Sequence, residues 1–109
     1  MGKDRKAFGN FLREMIKQTG ISQSAFYTAI EIKKPYFYDI LSGTSNPPPP
    51  DLQYKMLDHL KIDDQQRIEF LNLAAKGRGE IPADIAKLIS EHPMDLERIR
   101  ETLKTLLAE

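Results

Sequence analysis

Hydrophobic residues recur every three or four positions along most of the chain, the spacing of one face of an α-helix. The first stripe occupies positions 8, 11, 12, 15 and 16, and two shorter ones predict helices from Ser22 to about Ile30 and from about Lys33 to Gly43. Four further stripes predict helices over 52–60, 63–75, 82–92 and 96–106. No useful length alternates with a period of two, so we expect an all-α fold.

Residue types at the helix ends agree with these limits. Gly20 and Gly43 follow stripes and are typical of C-caps, because glycine accepts the left-handed backbone that ends a helix. Ser22 is a favoured N-cap for the second helix. Asp63 and Gln66 have the spacing of a capping box, with Asp in place of Ser or Thr. The fifth helix is therefore predicted to begin at Asp63.

Two segments interrupt the helical pattern. SNPPPP, residues 45–50, predicts a stiff connector whose last proline opens the fourth helix, although a free polyproline II tract could instead dock into an aromatic groove. KGRGEIP, residues 76–82, predicts a break, and its glycines do not follow a strand as they would in a phosphate-binding loop. The predicted organisation is a five-helix domain over 1–76 and a helical extension over 77–109.

Composition restricts the class of protein. The 109 residues, 40% hydrophobic and 29% charged, suit one folded domain. The absence of cysteine excludes disulfides, zinc–thiolate sites and thiol nucleophiles. No apolar run approaches the roughly 18 residues of a membrane span, and MGKDRKAFGN lacks a signal-peptide core. We expect a cytoplasmic protein with no membrane partner.

The zero net charge is unevenly distributed. Residues 1–43 carry seven basic and four acidic side chains, whereas the remainder carries nine basic and twelve acidic ones. A basic amino-terminal half suits a polyanionic partner, while a chance imbalance on a solvated surface is the simpler alternative.

Catalytic and metal-binding groups are sparse. His59 and His92 are far apart and lack carboxylates at ligand spacing, so we interpret them as solvent-facing or capping residues. Asp63 and Asp64 suit a helix start better than a catalytic dyad. No nucleophile–base pair can be assembled, and we therefore expect neither an enzyme nor a bound cofactor or metal.

The stretch from Ser22 to Gly43 contains two short amphipathic helices separated by a tight turn, with a polar start to the second. This is the plan of a helix-turn-helix, whose second helix enters the major groove of DNA. FLREMIKQTGISQSAF and YFYDILSGTSNPP resemble the Cro/repressor-type (XRE) family, best from Phe11 to Pro48. The resemblance implies a five-helix, repressor-like DNA-binding domain.

The resemblance also implies roles for individual residues. Gln23 matches a position that contacts the phosphate backbone, Lys33 and Lys34 open the recognition helix, and Thr44 and Ser45 match a phosphate-contacting loop. The candidate DNA-facing residues are Ser22, Gln23, Lys33, Lys34, Pro35, Tyr36, Tyr38, Asp39, Thr44 and Ser45. The family's core positions are matched by Phe26, Ile30, Ile32, Phe37 and Ile40, with Phe11 and Leu12 expected in the same core.

Two residues depart from the family's usual pattern. Glu31 stands where the turn usually has glycine, so a positive φ here would cost on the order of 1 kcal/mol relative to glycine. Tyr27 replaces a small residue at the helix crossing, and we expect it to point outward or to force the helices apart.

The functional prediction is a sequence-specific double-stranded DNA-binding transcriptional regulator. The alternative is a protein-interaction module on the same fold, antitoxin-like or a regulatory partner, without strong DNA binding. Residues 82–109 are predicted to form a homodimer, although the same seam could fold back onto the chain's own bundle. The predicted dimer seam consists of Leu96, Ile99, Leu103 and Leu106, with Leu88 and Ile89 able to extend it.

Overall fold

Helices make up nearly all of the regular structure, and the computed structural model describes residues 2–108. Over this range the chain forms seven α-helices, one short 3-10 helix and no strand, which confirms the all-α prediction. None of these helices is both long and apolar enough to cross a lipid bilayer. The helices are α1 Gly2–Thr19, α2 Gln23–Ala29, α3 Lys34–Ser42, α4 Pro50–His59, α5 Asp64–Arg78, α6 Ala83–Ser90 and α7 Leu96–Leu107, with the 3-10 helix at Pro93–Asp95.

The predicted caps form as hydrogen-bonded structures. The backbone N–H of Ala25 donates to Ser22 Oγ at 3.0 Å, which fixes the start of α2. At the start of α5, the Gln66 N–H donates to Asp63 Oδ1 at 2.8 Å, and the Asp63 N–H donates to Gln66 Oε1 at 3.1 Å. The capping box is therefore confirmed, and it satisfies backbone donors that would otherwise lack a partner.

The break predicted over residues 76–82 begins too early. α5 continues through Lys76 and Gly77 to Arg78 and ends at Gly79, whose φ is 68°. A Cβ on Gly77 would lie only 2.6 Å from Cγ of Pro47, so this glycine permits close packing and does not end the helix. Gly77 therefore permits the contact of α5 with Pro47, and Gly79 ends the helix.

The proline tract is part of the folded unit. Pro47 and Pro48 are buried, the Gln53 amide donates to the Pro48 carbonyl at 2.8 Å, and Arg78 Nη1 donates to the Pro47 carbonyl at 3.0 Å. Pro50 opens α4 as predicted. The tract is a connector held against its own domain, and its buried rings are not free to dock into another protein.

A single hydrophobic core joins the first five helices and also includes Ala83 at the start of α6. Phe8 of α1 packs edge-on against Phe70 of α5, with ring centroids 5.1 Å apart. Phe11 and Ile32 were expected inside this core but are only partly buried at its edge, because Ile32 lies in the turn after α2 and Phe11 on the flank of α1. The buried cluster comprises Phe8, Leu12, Met15, Ile16, Phe26, Ile30, Phe37, Ile40, Leu41, Met56, Leu57, Leu60, Phe70, Leu71, Ala74 and Ala83.

α1 approaches α3 at backbone distance. A Cβ built on Gly9 would lie 2.1 Å from the carbonyl oxygen of Leu41 and 2.8 Å from that of Ile40. Only glycine fits between two backbones this close. The long first helix therefore fixes the position of α3.

α6 is attached to the bundle by a narrow set of contacts. Ala83 is buried, and the Lys87 ammonium lies 5.2 Å from the centre of the Tyr54 ring on α4. In the linker before α6, Arg78 donates to the carboxylate of Glu80 at 2.5 Å, and this hydrogen bond holds the pKa of Glu80 below its ordinary value. These contacts orient α6 relative to α4 and α5.

α7 does not join the core. It contributes no buried side chain, and its main packing partner is the 3-10 helix that precedes it. Leu96, Leu103 and Leu106 are exposed, while Ile99 is partly buried. The alternative in which this seam folds back onto the bundle is therefore wrong.

Candidate nucleic-acid interface

The turn between α2 and α3 is a Schellman motif. The Glu31 N–H donates to the Thr28 carbonyl and the Ile32 N–H to the Tyr27 carbonyl, both at 3.1 Å. Glu31 has a φ of 62° and is the only non-glycine residue among residues 2–108 with a positive φ, so it carries the strain that glycine would avoid at this position. Its carboxylate accepts a hydrogen bond from Lys55 Nζ at 3.2 Å. Glu31 thus adopts the left-handed backbone conformation that a glycine usually supplies at the end of a helix.

Tyr27 lies at the side of the α2–α3 crossing. Its ring centroid is 5.3 Å from that of Phe37 and 6.5 Å from that of Tyr38. Behind it, Phe26 and Phe37 retain their core contact, with centroids 6.1 Å apart. The partly buried Tyr27 therefore joins an aromatic cluster that links the two helices and fixes the orientation of Tyr38.

One face of α3 is open to solvent. Tyr36 differs from the other predicted site residues of this helix because it is partly buried and packs against the core, which places it on the flank. Ser42 lies on the open face although it was not among the predicted residues. The sequence alone could have identified Ser42, because it lies four residues after Tyr38 and residues four apart share a helix face. The exposed residues are Lys34, Pro35, Tyr38, Asp39 and Ser42, preceded by the exposed N-cap Lys33.

The start of α2 is linked to the middle of α3. The Tyr38 hydroxyl donates to Gln23 Oε1 at 3.1 Å, so two predicted site residues from different helices lie side by side. Ser22, by contrast, uses its hydroxyl oxygen to cap α2. The structure therefore gives Ser22 a structural role, and among the described residues the Gln23 amide nitrogen donates to no protein group.

The loop after α3 folds against the end of that helix. The Ser45 N–H donates to the Asp39 carbonyl at 3.0 Å, and the hydroxyls of Thr44 and Ser42 lie 2.8 Å apart. Gly43, with a φ of 80°, is so close to α1 that a Cβ would lie 3.0 Å from the backbone nitrogen of Lys6. Lys6, which is exposed, therefore lies beside the loop. The spacing of residues in the sequence could not predict this contact, because Lys6 and Gly43 are far apart along the chain.

The charges on this surface have mixed sign. Within residues 2–108 the side chains of Lys33, Lys34 and Asp39 form no ion pair with the protein. The two lysines lie at the start of α3 and the carboxylate lies one turn further along. The surface can therefore attract an anion at one end of α3 and accept a hydrogen bond from a neutral donor near its middle.

The remaining candidate groups have structural roles. His59 Nδ1 lies 3.0 Å from the Lys55 carbonyl at the end of α4, and His92 Nδ1 lies 2.7 Å from the Leu88 carbonyl just after the end of α6, so each histidine ring lies against the last turn of a helix. Asp63 begins α5 as predicted. In the part of the chain that the structure describes, no group of three or more histidine, aspartate or glutamate side chains is arranged to hold a metal ion.

Comparisons of the chain with models of known protein families, with curated proteins and with solved structures find no match. The functional assignment therefore rests on the geometry of the α2–α3 surface.

Proposed function

We propose that the chain is a sequence-specific double-stranded DNA-binding transcriptional regulator of the XRE type. Its first five helices serve as a repressor-like domain, and α3 reads the major groove. The observation that carries this proposal is the α2–turn–α3 unit, whose two helices meet through a Schellman turn at Glu31 and expose a polar face of α3.

The dimensions of α3 suit this role. A helix with its side chains is about 10–12 Å across and so fits the major groove, which is about 12 Å wide, and the nine residues of α3 give it a length of about 13.5 Å at 1.5 Å per residue. α1 supports α3 from behind through the backbone contact at Gly9. A rigidly held helix is what base reading requires, because small displacements break directional hydrogen bonds.

The polar side chains of this surface divide into two roles. Gln23 lies beside the middle of α3, and Thr44 and Lys6 lie at its C-terminal end. These three side chains supply hydrogen-bond donors to phosphates, which set the position of the protein on the duplex. Lys34 and Asp39 project from α3 itself, where lysine donates to guanine O6 or N7 and a carboxylate accepts from cytosine N4. The expected specificity is thus for G·C pairs.

A protein-interaction module is the second candidate function, and Asp39 together with Tyr38 favours it. A carboxylate repels phosphates, and tyrosine is enriched at protein–protein interfaces. Tyr38 is 40% exposed and lies next to that carboxylate. A partner protein would use the same face of α3.

The test is selection of bound duplexes from a random-sequence pool by the full chain, followed by affinity measurements over a range of salt concentrations. We expect Lys33→Ala to lower the slope of log affinity against log salt by about 0.9 per lost phosphate contact. Lys34→Ala is expected to relax the preference at one base pair by about 1–3 kcal/mol.

The matched control is Lys104→Ala, which removes the same charge from α7, outside the proposed interface. It should leave both the salt slope and the base preference unchanged. Wild-type protein without duplex affinity at low salt, even for selected sequences, would overturn the proposal in favour of the interaction module.

A further inference from the structure

The centre of the exposed face of α3 consists of two rings, a carboxylate and a hydroxyl group. Four exposed residues have the spacing of one helix face, namely Pro35, Tyr38, Asp39 and Ser42. Pro35 lies one turn before Tyr38 and Asp39, and residues three or four apart on a helix have Cβ atoms about 5–6 Å from each other. The carboxylate of Asp39 and the two rings therefore border one small area of the surface.

The two rings beside Asp39 have fixed orientations. The Tyr38 hydroxyl donates to Gln23 Oε1 at 3.1 Å, and the Tyr38 ring packs edge-on against Phe37 with centroids 5.3 Å apart. Tyr38 is nevertheless 40% exposed. The ring of Pro35 is bonded to the backbone of the first turn of α3 and cannot rotate away from it. The area thus offers a rigid apolar wall next to a hydrogen-bond acceptor.

The Asp39 carboxylate determines which base edges this area can meet. It forms no ion pair within residues 2–108, so its oxygens are open to an external donor. An ionised carboxylate only accepts hydrogen bonds. In the major groove the donors are the N4 amino group of cytosine and the N6 amino group of adenine, whereas thymine O4 and guanine O6 and N7 are acceptors.

The rings distinguish between these two donors. In a C·G pair the N4 amino group is next to C5 of the same base, so a group on C5 reaches the rings while Asp39 accepts from N4. In an A·T pair thymine O4 lies between the adenine amino group and the thymine methyl group, and this oxygen repels the carboxylate. Of the two pyrimidines with a methyl group on C5, thymine presents an acceptor beside the methyl group, and 5-methylcytosine presents a donor.

We infer that α3 reads 5-methylcytosine in double-stranded DNA, with Asp39 accepting a hydrogen bond from N4 while Pro35 and Tyr38 pack against the 5-methyl group. The inference rests on the proposed DNA-binding function and specifies the base that this function selects. It also gives Asp39 a favourable contact that offsets its repulsion of phosphates, because a hydrogen bond to an ionised acceptor is stronger than one between neutral groups.

The test uses the full chain and the duplex obtained by selection from the random-sequence pool. Each cytosine of the selected site is replaced in turn by 5-methylcytosine, and in a second series each C·G pair is replaced by T·A, at one fixed salt concentration. At one position the added methyl group should tighten binding about fourfold, which is about 0.8 kcal/mol for one buried methyl group. Thymine at that position should weaken binding about tenfold or more. Methylation outside the selected site is the control and should leave the affinity unchanged.

Variants of the protein assign the effect to its residues. Tyr38→Ala should reduce the gain from the methyl group to less than about twofold, whereas Tyr38→Phe keeps the ring and should retain the fourfold gain. Pro35→Ala tests the same contact from the first turn of α3 and should also reduce the gain. Asp39→Asn supplies an amide that both donates and accepts, so the preference for 5-methylcytosine over thymine should fall about tenfold.

Lys104→Ala, on α7, is the matched protein control and should retain both preferences. Circular dichroism identifies the variants that remain folded. Duplex binding without a methyl gain at any cytosine of the site would overturn the inference alone and leave the proposed function intact. A full gain in folded Tyr38→Ala or Pro35→Ala protein would also overturn it, because the methyl group would then contact another part of the chain. Absence of duplex affinity at low salt would overturn the proposed function, and the inference with it.

Discussion

Gly9→Ala tests whether α1 holds α3 in the position that the proposed reading of DNA by α3 requires. The added Cβ would lie 2.1 Å from the Leu41 carbonyl oxygen, whereas ordinary contacts begin at 3.4 Å, so α3 would have to move away. Alanine improves helix propensity by about 1 kcal/mol, but overpacking of this kind costs about 1–3 kcal/mol, and the obstacle here is rigid backbone. We expect the upper part of that range to apply and the variant to lose about 2 kcal/mol of stability.

Thermal unfolding followed by circular dichroism measures this loss. About 2 kcal/mol corresponds to a fall in Tm of about 8–16 °C for a domain of this size. Gly2→Ala is the control, because Gly2 is also in α1 but has nothing within 4 Å of its added Cβ. An unchanged or raised Tm for Gly9→Ala would refute the close approach of α1 and α3. On selected duplexes, the displaced α3 should also weaken specific binding more than non-specific binding.

Two further substitutions test the packing of the hydrophobic core and the backbone strain in the turn between α2 and α3. Phe37→Ala removes a ring with 0% exposure and should lower the free energy of unfolding by about 3–5 kcal/mol in chemical denaturation, while exposed Lys34→Ala should change it by less than about 0.5 kcal/mol. Glu31→Gly should raise stability by about 0.5–1 kcal/mol, because relief of the left-handed strain exceeds the loss of the exposed ion pair with Lys55. A less stable Glu31→Gly protein would show that the ion pair outweighs the strain.

Local rules predicted the helices and their ends well. The capping box at Asp63 depends on Asp63 and Gln66 alone, so their spacing in the sequence was sufficient to predict it. Gly77 was wrongly predicted to lie in a break of the helix. A glycine is needed there because Pro47, thirty residues earlier in the chain, packs against it and leaves no room for a side chain. Sequence periodicity identifies a helix face but does not identify what covers it.

The same limit applies to the candidate site. The exposed positions of α3 follow from its core-facing stripe, and Ser42 could have been included by the same rule. The partial burial of Tyr36 and the nearness of Lys6 to Gly43 depend on how α1 packs against α3. The apolar stripe of α7 was visible in the sequence, but its exposure became evident only once the bundle was seen to be complete without it.

The hydrogen bond from Tyr38 to Gln23 has a consequence for the thermodynamics of binding. A free glutamine side chain loses about 1.5–2 kcal/mol of rotamer entropy when it is fixed, and here part of that loss occurs during folding. Because Oε1 already accepts from Tyr38, the amide presents its two N–H donors to an incoming group. A phosphate oxygen can only accept, so in the proposed complex with DNA the Gln23 side chain would meet the backbone already ordered and with the matching polarity. Preorganisation of this kind lowers the entropic cost of every duplex equally, and it therefore strengthens affinity without changing which sequence is preferred.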